Sequence, residues 1–489
     1  MKYLNKIYIK LIFGLFFLVL QGCDLDVENL NEPGRNSILG STEGVIALLH
    51  STNSAFFKNL VSSKSNVDYD YLADQLVSCN PVEAWPMNRE PRERIYNDVG
   101  GTFEGAFIYD WEAAYRAIST ANKILKKIDT WTLENNEVKN KVKASALILK
   151  GLATGYVGLI YKKGIILDYN IPAEKMTFSN YKDVINKAVE YLNEAKNIYT
   201  NNPELNWDYL PGFNLSSIEI KKVLNTYAAK FLLGKARNHE DFKSLDFNLI
   251  QSYLDNAIEN DFTGPGSREI YNSYQSFASR ERWSKVLVGV DQKIPWLLSN
   301  KTAPTKKRVT DSPPITSIDA RTNLYFEYKE VINFYYSEYD PTLYSNYKNV
   351  KYTSFLGDLY DFPANILHIE EIVLLKAEVA YGLGNYTLAE SILNNSNRVT
   401  VGQMPLLTGA NKTDIADALF YENSIELHLA GKAINWMFMR RWNLLQEGTM
   451  LHYPVPALEA QLLNAPIITI GGQGTGDGID SAKGDTSWR

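Results

Sequence analysis

From Asp414 to Ala430 the chain reads DIADALFYENSIELHLA, and Gly431 follows directly. Apolar residues recur in this run at intervals of three and four, at Ile415, Ala418, Leu419, Ile425 and Leu429. That spacing is typical of a helix with one buried face. Glycine readily adopts the left-handed backbone conformation that ends many helices, so the pattern predicts a helix that ends at Gly431.

An aromatic and cationic segment comes next. It contains Trp436 and the run Arg440-Arg441-Trp442, and it leads to the sequence HYPVPALE, which begins at His452. Pro454 and Pro456 stand one residue apart, and proline lacks the N–H group and the backbone freedom that a helix interior needs. This part of the chain is therefore predicted to be extended.

These segments resemble the C-terminal part of the SusD/RagB family, lipoproteins that capture nutrients at the outer surface of certain Gram-negative bacteria. The shared features are Glu422, Glu426, Gly431, the Arg441-Trp442 step, Pro454, Pro456, Glu459 and Asn464. The chain departs from the family at Asn423, where Arg is usual, and at Ala430-Gly431-Lys432, where Glu-Gly-Arg is usual. The usual Asp before the arginine pair is also missing, so the resemblance is to a divergent branch.

Several other segments have helical spacing. They are 43–58, a stretch from Asp110 to Ile128, 138–161, 181–199 and the pair 366–381 and 386–394, and Ser216-Ser-Ile-Glu219 is a capping box before a further helix. Small residues and Tyr at the contacts favour antiparallel helix pairs of the tetratricopeptide type. The prediction is a mainly α protein, and the resemblance implies a SusD-like fold. Asn122, on the apolar side of its helix, is predicted to be a structural hydrogen-bonding residue.

Helical periodicity fades between about residues 260 and 363, where turn residues and aromatic side chains dominate. In the family, a loop-rich insertion between the helical halves supplies much of the surface for the ligand and the transporter. Trp283, Trp296 and Tyr325 are therefore candidate ligand-binding residues.

A second candidate surface is the proline-rich loop around Trp85, with Asn88, Arg89 and Arg92 close behind it in sequence. An exposed ring beside amide and guanidinium donors is suited to holding a sugar, because the ring stacks on the C–H face and the donors reach the hydroxyls. The alternative is that Trp85 tucks the loop onto the core.

The N-terminus has the features of a secretion signal. Three lysines precede the apolar run from Leu11 to Leu20, which ends in Leu20-Gln21-Gly22-Cys23. This ending is similar to a lipobox, in which the Cys23 thiol is lipidated and residues 1–22 are removed; an ordinary signal with an incidental cysteine is the alternative. Residues 23–40 lack periodicity and are predicted to be a flexible tether. Residues 41–489 then form one helical domain with a flexible, glycine-containing tail over 471–489.

The formal charge is −6, and loss of the three signal lysines takes it to about −9. An acidic chain without basic runs argues against nucleic acid as a partner. With two cysteines and no metal-ligand spacing, no metal or other cofactor is expected.

The resemblance implies a binding protein rather than an enzyme. It would be anchored in the outer membrane, would face the cell exterior, and would deliver oligosaccharides to a SusC-like TonB-dependent transporter. A peptide-binding member of the same family, a helical scaffold without a small ligand and a lipid-anchored helical glycoside hydrolase are the alternatives. The hydrolase would need two carboxylates across a cleft, and the loop candidates are Glu83, Glu90, Asp98 and Glu104.

Overall fold

The structure is a computed structural model. It describes residues 39–62, 65–78, 87, 89–101, 103–130, 135–172, 175–264, 281–282, 285–286, 288–303, 313–331, 344–352, 364–473 and 480–484. The chain divides into two units, Met1–Leu48 and Leu49–Arg489. Cys23, Glu83, Trp85, Asn88 and Trp283 lie outside the described residues, so the predictions made for them stay predictions.

Helices dominate the described residues. In chain order they are α1 Thr42–Ser62, α2 Ser65–Leu72, α3 Glu104–Asp129, α4 Asn136–Ile160, α5 Tyr181–Asn201, α6 Ser217–Gly234, α7 His239–Lys243, α8 Phe247–Leu254, α9 Lys293–Leu298, α10 Arg321–Tyr325, α11 Ile369–Gly382, α12 Tyr386–Asn394, α13 Asn397–Thr400, α14 Lys412–Ile425, α15 Ile434–Arg441 and α16 Ala457–Leu462. The mainly α prediction is confirmed.

The strands are short and form six antiparallel pairs in the described part of the chain. The pairs are β1 Leu76–Ser78 with β9 Val288–Val290, β2 Lys163–Ile165 with β3 Phe178–Asn180, β4 Asn206–Trp207 with β5 Leu215–Ser216, β6 Phe262–Gly264 with β12 Ala364–Leu367, β7 Glu281–Arg282 with β8 Lys285–Val286, and β10 Phe326–Tyr328 with β11 Tyr347–Asn349. Among the described residues none of these pairs extends into a larger sheet, so each pair only connects neighbouring helices and loops.

Helix α4 is the centre of the helical stack. It packs against α3, α5 and α6, and its residues from Ala144 to Ile160 are buried. It is long and apolar enough to cross a membrane by composition alone, but 94% of its most apolar window is buried inside the protein, as expected of a core helix.

Glycines on α4 allow the neighbouring helices to approach closely. A Cβ atom at Gly155 would lie 2.1 Å from the Phe231 ring of α6, and one at Gly158 would lie 2.6 Å from Ile185 of α5. Neither distance can be tolerated without movement of the partner, so these positions require glycine for packing rather than for backbone freedom.

Local sequence signals predict this stack well. The Ser216–Glu219 capping box is present, with the Ser216 hydroxyl accepting from the Glu219 N–H at 3.3 Å. Asn122 donates its side-chain N–H to the Leu167 carbonyl at 3.1 Å, as predicted for a structural hydrogen bond.

The late helix pair differs at its start. The sequence predicts a helix from Ile366, but residues 364–367 form strand β12, whose backbone pairs with β6, and α11 begins at Ile369. Short apolar runs are compatible with a helix or a strand. Here the pairing with β6, about one hundred residues earlier in the chain, makes the segment a strand. In the turn after α11, Gly384 adopts the left-handed conformation (φ 75°) that glycine favours at the end of a helix.

The prediction that a helix reaches Gly431 is wrong. Helix α14 ends at Ile425, and the left-handed residues that follow are Leu429 (φ 57°) and Ala433 (φ 60°) rather than Gly431. Beyond Ile425, side chains donate hydrogen bonds to the backbone carbonyls of the three residues that follow. Lys351 donates to the Glu426 carbonyl, Tyr352 to the His428 carbonyl at 3.1 Å, and Asn435 to the Leu427 carbonyl at 2.9 Å.

The C-terminal segment also differs from expectation. The sequence predicts a flexible tail over 471–489, but residues 480–484 are hydrogen-bonded to the segment 448–451. Ala482 donates to the Thr449 carbonyl at 2.7 Å, and its own carbonyl accepts from the Gly448 N–H at 2.9 Å. Asp480 also forms an ion pair with Lys162.

Candidate functional site

Helix α9 stands in the loop-rich region and carries Trp296. It directly follows strand β9, whose pairing with β1 fixes its start. The buried Lys293 ammonium donates to the Ala73 carbonyl at 2.5 Å, and the Lys293 N–H donates to the Asp291 carboxylate at 2.8 Å. These bonds tie a short helix, which would not be stable alone, to the N-terminal half of the domain.

The C-terminal end of α9 closes in a Schellman motif. The Lys301 N–H donates to the Trp296 carbonyl at 2.7 Å, and the Asn300 N–H donates to the Leu297 carbonyl at 3.1 Å. Asn300 (φ 51°) and Lys301 (φ 66°) are both left-handed, a conformation that non-glycine residues seldom adopt twice in succession. The turn brings the Lys301 ammonium 5.5 Å from the centre of the Trp296 ring.

A cleft of about 340 Å³ lies beside this turn, and we call it the aromatic cleft. It is lined by His239, Trp296, Lys301, Tyr381, Ala416, Asp417, Phe420, Trp442, Asn443 and Leu444. Trp296, Tyr381 and Phe420 are at most 9% exposed, whereas Lys301, Asp417 and Asn443 are exposed. The cleft therefore has an aromatic interior and a rim of polar groups that donate and accept hydrogen bonds.

Trp442 is held in place by its neighbours on α7 and α11. Its ring centre lies 4.9 Å from that of Tyr381 and 5.8 Å from that of His239. The indole N–H donates to Glu378 at 2.6 Å, and the same carboxylate binds Arg441 at 2.5 Å. The Arg-Trp step of the sequence thus anchors one wall of the aromatic cleft through a buried ion pair.

Two further clefts lie around the same turn. One of about 620 Å³ shares Lys301, Asp417 and Phe420 with the aromatic cleft. Another of about 300 Å³, next to Pro313 and Pro314, shares Ser299 and Thr316 with the larger one. The shared residues make the three clefts neighbours, and we call the set the α9 groove.

A buried ionic cluster lies behind the groove. Arg321 binds Asp319 at 2.8 Å, Glu422 at 2.6 Å and Glu426 at 3.1 Å, while Arg398 reaches Glu422 at 3.4 Å. We call these five residues the Arg321 cluster. It joins the segment 313–331 to helices α13 and α14, and so it fixes the loops that border the groove.

Burial and neighbouring charge oppose each other in this cluster. Burial raises the pKa of Glu422, although Arg321 acts in the opposite direction. Burial would also raise the pKa of Glu426, but Lys351 and Arg321 outweigh it, and the pKa lies below its ordinary value. Nearby Glu370 has a pKa raised to about 7, first by burial and then by the two glutamates. These shifts have structural causes and need no bound ligand.

The structure separates the candidate residues predicted from sequence. Trp296 lines the aromatic cleft. The Tyr325 hydroxyl instead donates to Glu426 at 3.1 Å, with the Lys351 ammonium 4.3 Å from the centre of its ring. Tyr325 therefore supports the Arg321 cluster.

The two candidate arginines lie apart from these residues. Arg89 is partly exposed and pairs with Glu93 at 3.0 Å. Arg92 is 4% exposed, and it binds Asp74 at 2.6 Å and the Thr449 hydroxyl at 3.0 Å. These contacts give Arg92 a structural role, because its burial and its bonds leave little of it for a ligand. Arg89 stays a candidate.

Several lining residues of the aromatic cleft could not be found by sequence reasoning. Tyr381 falls in a segment with helical spacing and Trp442 in a family-like step, and neither pattern identifies a cleft residue. Lys301 carries no signal, because Asn-Lys is an uncommon pair at a helix end. His239 and Asp417 are far apart in sequence and meet only in the folded chain.

The comparisons with known proteins concern structure. No protein-family model and no curated protein matches the sequence. A SusD superfamily protein from Bacteroides vulgatus is 14% identical over 88% of this chain and 99% of its own, with a TM-score of 0.58. A SusD-like protein from Bacteroides fragilis is 15% identical over 89% of this chain and 98% of its own, with a TM-score of 0.59.

A third solved structure, described as a SusD-like carbohydrate binding protein from Bacteroides fragilis, is 14% identical. It covers 92% of this chain and 96% of its own, with a TM-score of 0.54. At these identities the likeness concerns the course of the backbone rather than particular side chains. The chain therefore has the SusD-like fold that its C-terminal segments resemble.

Proposed function

We propose that this protein binds glycans in the α9 groove and is not an enzyme. The observation that supports this most directly is the aromatic cleft, where Trp296 and Trp442 stand beside exposed Lys301 and Asp417. Aromatic faces stack on the C–H faces of sugars, while charged and amide groups at the rim bind hydroxyls. Two structural neighbours that bear the description SusD-like carbohydrate binding protein are consistent with this ligand class.

The test is a binding panel with the purified mature protein. Neutral oligosaccharides of different linkage and a set of short peptides are titrated by calorimetry. We expect binding of at least one glycan class, without turnover of a labelled glycan. Binding of peptides alone would overturn the glycan proposal, and release of labelled sugar would overturn the absence of catalysis.

A variant at the rim tests whether the ligand binds in the groove. Asp417→Asn removes a charge at an exposed position, and we expect it to weaken glycan binding about tenfold, the equivalent of one hydrogen bond to a charged group. Tyr109→Ala removes an exposed ring from helix α3 and serves as the control, because Tyr109 is 56% exposed and lies outside the groove. Equal effects of the two variants would place the ligand elsewhere.

We further propose that the protein is anchored in the outer membrane through lipidated Cys23, faces outward, and delivers its ligand to a SusC-like TonB-dependent transporter. The support is the N-terminal sequence and the SusD-like fold. Mass spectrometry of the mature N-terminus should find an acylated Cys23, and externally added protease should degrade the protein on intact cells. An unmodified thiol, or full protection in intact cells, would contradict the proposal. Copurification with a barrel transporter tests the partner.

A further inference from the structure

A fourth cleft, of about 560 Å³, shares Asn443 with the aromatic cleft. Arg237, Arg440 and Ser481 line it, and Lys483 stands exposed at its rim. We call it the guanidinium cleft. Its lining also includes Asn238, Glu240, Asn443, Leu445, Leu451, Ala482 and Gly484.

The two arginines are deeply buried and neither has a carboxylate partner among the described residues. Arg237 is 3% exposed and Arg440 is 0% exposed. Burial lowers the pKa of Arg237 to about 10, and burial together with Arg237 also lowers the pKa of Arg440. Buried guanidinium groups normally come with paired anions, because taking a full charge out of water is costly.

Capping of helix ends accounts for part of their bonding. Arg237 donates one terminal nitrogen to the Gly158 carbonyl at 2.7 Å and to the Tyr161 carbonyl at 2.8 Å. Arg440 donates one terminal nitrogen to the Leu159 carbonyl at 2.9 Å and to the Leu451 carbonyl at 3.0 Å, and the other to the Gly234 carbonyl at 2.9 Å. All of these acceptors except Leu451 lie at the C-terminal ends of α4 and α6. In addition, the Arg237 guanidinium lies 3.6 Å from the centre of the Tyr181 ring and that of Arg440 lies 4.8 Å from the centre of the Trp436 ring.

Capping does not use all the donors or all the charge. In the part of the chain that the structure describes, Nε and Nη1 of Arg237, Nε of Arg440 and the hydroxyl of Ser481 are buried without hydrogen-bond partners. A helix end supplies only about half a negative charge, so two ends offset about one of the two positive charges. The remaining charge and the unused donors belong to residues that line one cleft.

The carboxylates near the cleft are already paired. Asp480 binds Lys162, Asp241 binds Lys182 at 2.8 Å, and Glu240, at the rim, binds Lys243 at 2.6 Å. Each of these carboxylates therefore has its own lysine, and none of them lies within ion-pair distance of Arg237 or Arg440 in the described structure.

We propose that the guanidinium cleft binds a small oxyanion, either inorganic phosphate or the carboxylate of an acidic sugar. Such an anion would accept single charge-assisted N–H bonds from the unused nitrogens of Arg237 and Arg440, and a further bond from the Ser481 hydroxyl. The volume accommodates a monosaccharide as well as a free ion. This site is separate from the glycan groove and does not depend on the proposed function.

The experiment measures the melting temperature of the mature protein with inorganic phosphate, D-galacturonate or uncharged D-galactose, at an ionic strength matched with sodium chloride. A ligand that binds only the folded state raises the melting temperature in a concentration-dependent manner. We expect a rise of several degrees with phosphate or galacturonate and none with galactose. A rise with phosphate alone identifies a free ion or phosphate ester, and a rise with galacturonate identifies an acidic sugar.

A matched pair of variants locates the site. Ser481→Asp introduces a carboxylate into the cleft, and Ser481→Asn introduces a group of nearly the same size without charge. We expect Ser481→Asp to have a higher melting temperature than Ser481→Asn and to lose the response to anions, while Ser481→Asn keeps a response. Arg237→Gln should also lose it, and Arg116→Gln, at an exposed arginine on helix α3, should keep it.

Two results would overturn the proposal. One is the absence of any anion response in the wild-type protein. The other is an equal response in Ser481→Asp and Ser481→Asn, which would place the anion outside this cleft. The serine pair decides the question even if Arg237→Gln does not fold.

Discussion

His428 is a fully buried histidine in the segment after α14. Its Nδ1 atom lies 2.8 Å from the Asn349 side-chain nitrogen, and its Nε2 atom lies 3.2 Å from the Gln75 carbonyl. A neutral ring that accepts at Nδ1 and donates from Nε2 satisfies both contacts. Burial lowers the pKa of His428 to about 3, and Lys293 and Lys351 act in the same direction.

This pKa predicts acid sensitivity. An unfolded histidine binds a proton near pH 6.5, whereas folded His428 does not until about pH 3. Stability is therefore full above pH 6.5 and falls with decreasing pH between those values, by about 1.4 kcal/mol per pH unit for this residue. Between pH 7 and pH 5, the free energy of unfolding measured with urea should decrease by about 2 kcal/mol less in His428→Gln than in the wild-type protein, because the variant lacks this histidine. Parallel pH curves for the two proteins would contradict this.

Arg321 gives a second prediction at the residue scale. Arg321→Leu leaves Asp319, Glu422 and Glu426 buried with too little positive charge, and we expect a loss of about 3–5 kcal/mol in the free energy of unfolding. Arg89→Leu is the control, since its exposed pair with Glu93 should contribute about 1 kcal/mol or less. A change below about 1 kcal/mol for Arg321→Leu would mean that other cations compensate in the cluster.

At the scale of elements, α4 depends on its glycines. Gly155→Ala would gain about 1 kcal/mol of helix propensity. It would also force a methyl group against the Phe231 ring, since the Cβ position lies 2.1 Å from that ring. We expect a net destabilisation of about 1–3 kcal/mol by urea denaturation, because the ring is packed in the core. Gly105→Ala on α3 is the control, as it meets only the exposed Tyr109 side chain.

The end of α9 gives a prediction in which stability and binding change in opposite directions. Lys301→Gly relieves a left-handed conformation and should stabilise the fold by up to about 1 kcal/mol. It also removes the cation beside Trp296, so glycan affinity should fall. Lys301→Gln removes only the charge, and should lose affinity without a gain in stability. If Lys301→Gly bound glycans as well as the wild-type protein, Lys301 would have no part in the site.

How far the sequence predicts an element depends on where its hydrogen-bond partners lie. Helices α3 to α6 follow from periodicity and from the Ser216 cap, which are local signals. The end of α14 does not, because the backbone carbonyls just beyond it bond to the side chains of Lys351, Tyr352 and Asn435. Trp296 lines a cleft, and its role in binding stays a prediction. The contacts that bury Arg92 include Thr449, which is 357 residues away along the chain.

At the scale of the whole molecule, distant segments of the main unit are joined by small numbers of bonds. Ile95 pairs with Ile470, Tyr161 pairs with Tyr453, and Met450 pairs with Ser481. The described C-terminal residues are therefore bonded to the rest of this unit and are part of its fold. Sequence reasoning misses such closures because single bridges between irregular segments leave no periodic pattern.

Removal of residues 480–489 tests this closure. The deletion breaks three backbone hydrogen bonds between 480–482 and 448–451, together with the Asp480–Lys162 ion pair. At about 1 kcal/mol for each bond, we expect a loss of about 3 kcal/mol in the free energy of unfolding. A shorter deletion, of residues 485–489, keeps all these contacts and serves as the control. Equal stability of the two truncated proteins would contradict a closing role.

Asn443 lines both the aromatic cleft and the guanidinium cleft, and its side-chain oxygen accepts from the His239 N–H at 3.0 Å. One amide is thus part of the lining of both compartments. If a molecule in one compartment shifts this amide, it changes the affinity of the other compartment, and thermodynamic linkage requires the second molecule to act on the first by the same factor. Binding in one cleft would then raise or lower the affinity of the other, which is positive or negative cooperativity. A small movement of the Asn443 side chain would be enough to couple them.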